Sequence, residues 1–200
     1  DGSSRPLTSG GNTWTAGASI PQASYGHGAA FVGGKVYVIS GFATTRVAAY
    51  DPVANSWSNV ASLPQLLQFF GTAVIDGKIY VVGGLRWPNA IGTTLEYDPV
   101  SDKWSRKADM LQKRYAPTAA VVNGKLYAIG GGDGSAKLAT VEEYDPVGNA
   151  WTMKASMQQP RYAFAAVTLN GRIYALGGAG PGADPALATV EEYDPIADKW

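Results

Sequence analysis

Arginines set beside large aromatic residues are the side chains of this sequence best suited to chemistry at a surface. Arg86-Trp87, Lys113-Arg114-Tyr115 and Arg161-Tyr162 each place a cationic donor next to a flat ring. A guanidinium can hold a carboxylate through two parallel hydrogen bonds, and aromatic rings supply most of the energy at binding hot spots. Tyr25, His27 and the run Gln68-Phe69-Phe70 stand at comparable places earlier in the chain, and Asp133 adds an acid. These residues form the candidate ligand-binding set. The alternative is that some of the aromatics pack between neighbouring structural units.

Other chemistries are poorly supplied. His27 is the single histidine and there is no cysteine, so no His- or thiolate-based metal centre can be assembled and no cysteine nucleophile exists. A lone histidine at a strand start is more often hydrogen-bonded architecture than a catalyst. Serines are abundant, but no Gly-x-Ser-x-Gly elbow is present to expose one as a nucleophile. Glu142-Glu143 and Glu191-Glu192 look like paired carboxylates, yet neighbours on a strand point to opposite faces and cannot serve one substrate atom. Their recurrence, with Glu96 in a related place, favours a structural role. We expect no catalytic residue, no metal and no cofactor.

Charge narrows the partners. Sixteen basic side chains balance sixteen acidic ones, which argues against nucleic acid and anionic membrane surfaces, since both call for a basic excess. No apolar run is long enough to insert in a membrane as a helix. The absence of cysteine leaves the compartment open, with a lean towards an exported bacterial protein.

The candidate residues must be positioned by a repeated unit. Asp76-Gly77-Lys78-Ile79-Tyr80-Val81-Val82-Gly83-Gly84 returns as Asn123 to Gly131 and as Asn170 to Gly178, with a weaker copy from Gly33 to Gly41. Tyr-Asp-Pro recurs at Tyr50, Tyr97, Tyr144 and Tyr193, and tryptophan at 14, 57, 104, 151 and 200. Asn-Gly and Asp-Gly between apolar runs are strong hairpin signals, and Asp-Pro starts a second turn between the tyrosine and tryptophan strands. Each unit therefore reads as four short antiparallel strands, and no segment shows a helical period. Radially repeated four-stranded units of this length describe an all-β fold, a β-propeller. The expected division is a flexible lead over 1–11 and a propeller over 12–200, with repeats near 12–57, 58–104, 105–151 and 152–200.

Gly-Gly after an aliphatic-Tyr strand, then Tyr-Asp-Pro, then tryptophan, resembles the kelch repeat over residues 14–200. The first unit departs from it, with Ser40-Gly41 in place of Gly-Gly. The resemblance implies four kelch-type blades. It also implies that the arginine entering the first strand of a blade, here Arg114 and Arg161, contacts ligand. Some kelch-type propellers are copper oxidases, but this chain lacks the histidines and cysteine for that site. Others are sialic-acid mutarotases.

Two matters stay open at this stage. The blades either close a four-membered ring, with Trp14 as the outer strand of the last blade, or belong to a larger ring completed by further blades or by a second copy. The leading function is non-enzymatic recognition of a protein or peptide through the face that carries the variable loops. Carbohydrate binding or sugar isomerisation is the alternative, and an architectural role in a larger assembly is the third.

Overall fold

The computed structural model describes residues 14–181 and 186–200, so the lead expected over 1–11 lies outside the described residues. Four antiparallel sheets follow one another along the chain. Blade 1 comprises β1 (Gly28–Val32), β2 (Lys35–Gly41), β3 (Thr44–Asp51) and β4 (Ser56–Val60). Blade 2 comprises β5 (Gly71–Ile75), β6 (Lys78–Val82), β9 (Thr94–Asp98) and β10 (Lys103–Arg106), with a small hairpin of β7 (Leu85–Arg86) and β8 (Asn89–Ala90) in its loop. Blade 3 comprises β11 (Thr118–Val122), β12 (Lys125–Ile129), β13 (Val141–Asp145) and β14 (Ala150–Lys154). Blade 4 has β15 (Ala165–Leu169), β16 (Arg172–Leu176) and β17 (Val190–Tyr193). The sequence reading of an all-β fold of repeated propeller blades holds.

Local chemistry explains the hairpins. Asp76-Gly77, Asn123-Gly124 and Asn170-Gly171 all take positive φ at both residues, the two-residue turn whose twist matches the flanking strands. At the other turn, Asp51 Oδ1 accepts the N–H groups of Val53 and Ala54, and Asp98, Asp145 and Asp194 repeat the arrangement. Asn55, Asp102, Asn149 and Asp198 then adopt left-handed backbone, which Asn and Asp tolerate best among residues with a side chain.

Blades are joined side to side. β1 packs on β5, β5 on β11, and β11 on β15, while no comparable packing returns from β15 to β1. Three apolar clusters fill the blade junctions, centred on Ile39, Val47 and Tyr97, on Tyr80, Leu126 and Tyr144, and on Ile129, Val141 and Tyr193. At each junction a tyrosine of the earlier blade meets one of the next edge-on or tilted: Tyr37 with Tyr97, Tyr80 with Tyr144, Tyr127 with Tyr193. Gly130 shows why glycine sits after the second strand. A Cβ there would lie 2.5 Å from the Arg161 carbonyl of the next blade. In the first unit Ser40 takes this place, and its hydroxyl lies 2.6 Å from the Thr44 carbonyl and 3.0 Å from that of Leu67.

The expectation that Trp14 completes the last blade is corrected. Blade 4 uses its own tryptophan: Asp194 and Lys199 exchange backbone hydrogen bonds, and Trp200 packs on Tyr193 at 5.0 Å. Trp14 is fully exposed.

Candidate functional site

The loops entering the first strands and the loops following the second strands meet at one face of the blades. Backbone hydrogen bonds tie the two sets together, between Gln68 and Leu85, between Tyr115 and Gly132, and between Tyr162 and Ala179. Further in, Phe69 N donates to Gly26 O and Ala116 N to Phe69 O, so successive blades hold each other through main chain.

Not every candidate residue reaches this face. Arg114 and Arg161 point into the blades and their side chains have no exposure. Arg114 Nη1 donates to the carbonyls of Gly130 and Thr140, both at 2.9 Å, and Nη2 to Glu142 at 2.6 Å. Glu142 also accepts the N–H groups of Leu111 and Gln112 at 2.7 and 3.1 Å. Arg161 repeats the pattern on Gly177, Thr189 and Glu191, and Glu191 accepts from Gln158 and Gln159. Burial pulls the Arg114 guanidinium below its ordinary pKa, and the Glu142 carboxylate opposes the shift. The two arginines thus close the ends of strands from within, and the ligand role implied for them is corrected. Phe70 is also buried, packed in the junction of blades 1 and 2.

Asp133 is exposed but spends its carboxylate on its own loop, accepting Ser135 and Ala136 N–H at 2.7 Å, and those bonds hold its pKa low. Tyr115 and Tyr162 are half-buried and meet edge-on at 6.1 Å, with the Lys137 ammonium 5.1 Å above the Tyr162 ring. Lys113 and His27 are exposed. Among the described residues no cluster of histidine, aspartate and glutamate has the form of a metal site.

What the fold does bring together lies between blades 1 and 2. Gly41, Phe42 and Ala43 form one wall of a groove of about 380 Å³, Leu66, Leu67 and Gln68 its floor, and Leu85, Arg86 and Trp87 the other wall. Phe42, Leu66 and Trp87 are all exposed, Trp87 by 80%. Phe42 stacks on Tyr25 at 4.9 Å, and Tyr25 leans on Phe69 at 6.5 Å. The short hairpin β7–β8 carries Arg86 and Trp87 out to the rim.

The KLHDC2/KLHL20/DRC7 Kelch-repeats domain matches residues 8–178, and the Kelch motif matches residues 160–200. The chain belongs to the kelch-repeat family. No curated protein matches it. Among many solved chains of similar fold, the structure of YjhT superposes with a TM-score of 0.75 at 20% identity, covering 90% of this chain and 70% of that one. At that identity the likeness speaks for the fold.

Within this kelch propeller the candidate set therefore divides. Tyr25, Gln68, Phe69, Arg86 and Trp87 gather at or beside the groove, Lys113, Tyr115 and Tyr162 stand along the same face further on, and Arg114, Arg161 and Phe70 are interior. Phe42 and Leu66 escaped the sequence reading. Their signal was available: both are large apolar residues in connecting segments of the variable face, where a solvated loop has no need of them.

Proposed function

We propose that this chain is a non-enzymatic recognition module that takes a protein or peptide segment in the groove between blades 1 and 2. The observation that carries the reading is the contiguous exposed apolar lining of Phe42, Leu66 and Trp87, with a free guanidinium at Arg86 on the rim. Monomeric proteins rarely leave such a patch bare without using it, and aromatic anchors with an arginine are the usual composition of a binding hot spot. The expected ligand presents an apolar side chain to the groove and a carboxylate to Arg86.

A displayed library of short peptides, selected on the purified chain, tests this. The expected selection is enriched in an aromatic or aliphatic residue near an acid, and Trp87→Ala should weaken binding of a selected peptide at least tenfold without moving the thermal midpoint. Random recovery, or binding indifferent to Trp87→Ala and Phe42→Ala, overturns the reading. One observation also favours a carbohydrate: an exposed tryptophan beside an arginine suits a sugar ring that carries a carboxylate. A glycan array together with a mutarotation assay on sialic acid separates the two readings.

A further inference from the structure

Blade 2 departs from the repeat at the floor of its groove. The residue entering the first strand is Tyr25 in blade 1, Tyr115 in blade 3 and Tyr162 in blade 4, but Gln68 in blade 2. The main chain treats all four alike: each is hydrogen-bonded to the residue that follows the second strand's closing glycine, which is Phe42, Leu85, Gly132 or Ala179. The side chains differ. Tyr25 stacks on Phe42 at 4.9 Å, and the Tyr115 ring lies so close over Gly132 that a Cβ there would be 2.8 Å from it. Tyr162 carries the Lys137 ammonium 5.1 Å above its ring. Gln68 is nine-tenths buried, and its carboxamide oxygen has no hydrogen-bond partner among the described residues.

A buried acceptor left unpaired costs stability, and folded proteins keep few of them without a use. Among the described residues five buried side-chain polar atoms lack a partner, and three of them fall between Gln65 and Thr72. The other two are the Nε atoms of Arg114 and Arg161, inside the buried ion pairs. Of Gln65, Gln68 and Thr72, Gln68 is the one that lines the groove. Its neighbour Phe69 adopts a φ of 53°, at a place where the other blades have Gly26, Ala116 and Ala163. A bulky residue in left-handed backbone is strained, and such strain persists where a site calls for it. Two local rules thus fail side by side in one blade, against the exposed Phe42, Leu66 and Trp87.

We propose that Gln68 sets the specificity of the groove, its carboxamide oxygen accepting a backbone amide N–H of the bound segment, beside the apolar residue that the groove receives. This rests on the peptide reading of the groove given above. The terminal torsion of a glutamine is broad, so the oxygen can turn to a donor that enters. An amide N–H suits it better than an ammonium, because the charged residue of the lining is Arg86 and repels a second cation. Aromatic walls hold almost any apolar side chain. A buried acceptor selects, since a ligand without the donor leaves the oxygen unpaired.

The probe is a library-selected peptide whose binding depends on Trp87, made also with each backbone amide N-methylated in turn. On the parent chain one methylation, next to the apolar anchor, should weaken binding at least tenfold. Gln68→Met keeps the length of the side chain without its amide, and should weaken the unmethylated peptide by a similar factor. That methylation should then cost Gln68→Met nothing further, so the two changes are not additive. The thermal midpoint of Gln68→Met should equal or exceed that of the parent, because an unpaired acceptor has gone. Gln68→Tyr, the residue of the other three blades, should fold and should not bind. Methylation that weakens parent and Gln68→Met alike overturns the proposal, as does undiminished binding by Gln68→Met or Gln68→Tyr, while dependence on Trp87 keeps the groove. A lowered midpoint in Gln68→Met makes the residue structural and overturns it too. A selection that yields no Trp87-dependent peptide overturns the groove itself, and the role of Gln68 with it.

Discussion

At one position the four blades carry three different solutions to the same packing problem. Ser24 stands with Ala48 in blade 1, Leu67 with Leu95 in blade 2, Arg114 with Glu142 in blade 3, and Arg161 with Glu191 in blade 4. The preceding turn varies with them. Where the glutamates occur, residues 111 and 158 have N–H groups that the carboxylates accept, and at the same places in blades 1 and 2 stand Pro21 and Pro64, which have none. A buried ion pair with its hydrogen bonds, an apolar pair and a small pair thus fill equivalent space. Arginine that reads as a ligand anchor in sequence is here an alternative to leucine, whereas Arg86, in blade 2 on the hairpin beside the groove, is exposed.

The sharpest way to break this equivalence is to remove one partner of the blade 3 pair. Arg114→Ala leaves the Glu142 carboxylate buried without its cation, and we expect a loss of about 3–5 kcal/mol in urea unfolding. Replacing the whole set as blade 2 has it, with Leu111→Pro, Arg114→Leu and Glu142→Leu together, should return stability to within about 1–2 kcal/mol of the parent, since well-packed apolar residues often substitute for buried ion pairs at no loss. A triple variant as unstable as the single one would show that the two blades are not solving the same problem.

The reverse exchange is the next largest. Leu67→Arg places an unpaired cation in a buried apolar site and should cost roughly 3 kcal/mol or more. Adding Leu95→Glu should recover only part of the loss, because Pro64 has no N–H to donate to the new carboxylate. Full recovery would mean that the Arg–Glu contact alone matters and the turn does not.

A third pair of measurements compares the two halves of the loop face. Trp87→Ala in blade 2 should lower affinity for a groove-selected peptide by about 2 kcal/mol and leave stability within about 0.5 kcal/mol, because the ring is 80% exposed. Tyr162→Ala in blade 4 should leave that affinity unchanged. Equal losses from both would spread the binding surface over all four blades.

Much of the fold was legible because the repeat writes the same instructions four times. Asp-Gly and Asn-Gly fix the first hairpin, Asp-Pro the second, and the Tyr–Trp pair locks each outer strand, all through contacts close in sequence. The site was legible only in part. Arg86 and Trp87 follow a double glycine in the one long insertion of blade 2, which marks them as protruding. Whether Arg114 is buried depends on Glu142, two strands away, and on the N–H groups of the turn before it. Periodicity shows that these residues recur but not that they face each other. The clue lay in comparing units: arginine is present only where glutamate is, and proline only where glutamate is missing. The misplacement of Trp14 has a similar cause, for spacing gives a strand's rank in the repeat and not the blade that receives it.

The smallest expected effect concerns the clamp between blades, where Asn55 and Asn149 alternate with Asp102 and Asp198. All four side-chain oxygens accept one alanine N–H and one tyrosine hydroxyl. In Asp102 and Asp198 those hydrogen bonds, the backbone one foremost, hold the carboxyl below its ordinary pKa. The unfolded chain therefore binds more protons than the folded one between the lowered value and the ordinary one near 4. Stability from this source is complete above the ordinary value and is lost as the pH falls through the lowered one. An amide accepts the same two bonds without titrating, so Asp102→Asn with Asp198→Asn should change stability at pH 7 by no more than about 1 kcal/mol and flatten its decline between about pH 5 and 2. Urea midpoints across that range, compared with the parent, measure the difference. An unchanged acid slope would assign the decline to other carboxylates, with the Glu96 group as the first candidate: burial raises its pKa, but hydrogen bonds from Tyr80, Lys78 and Lys107 prevail and hold it low.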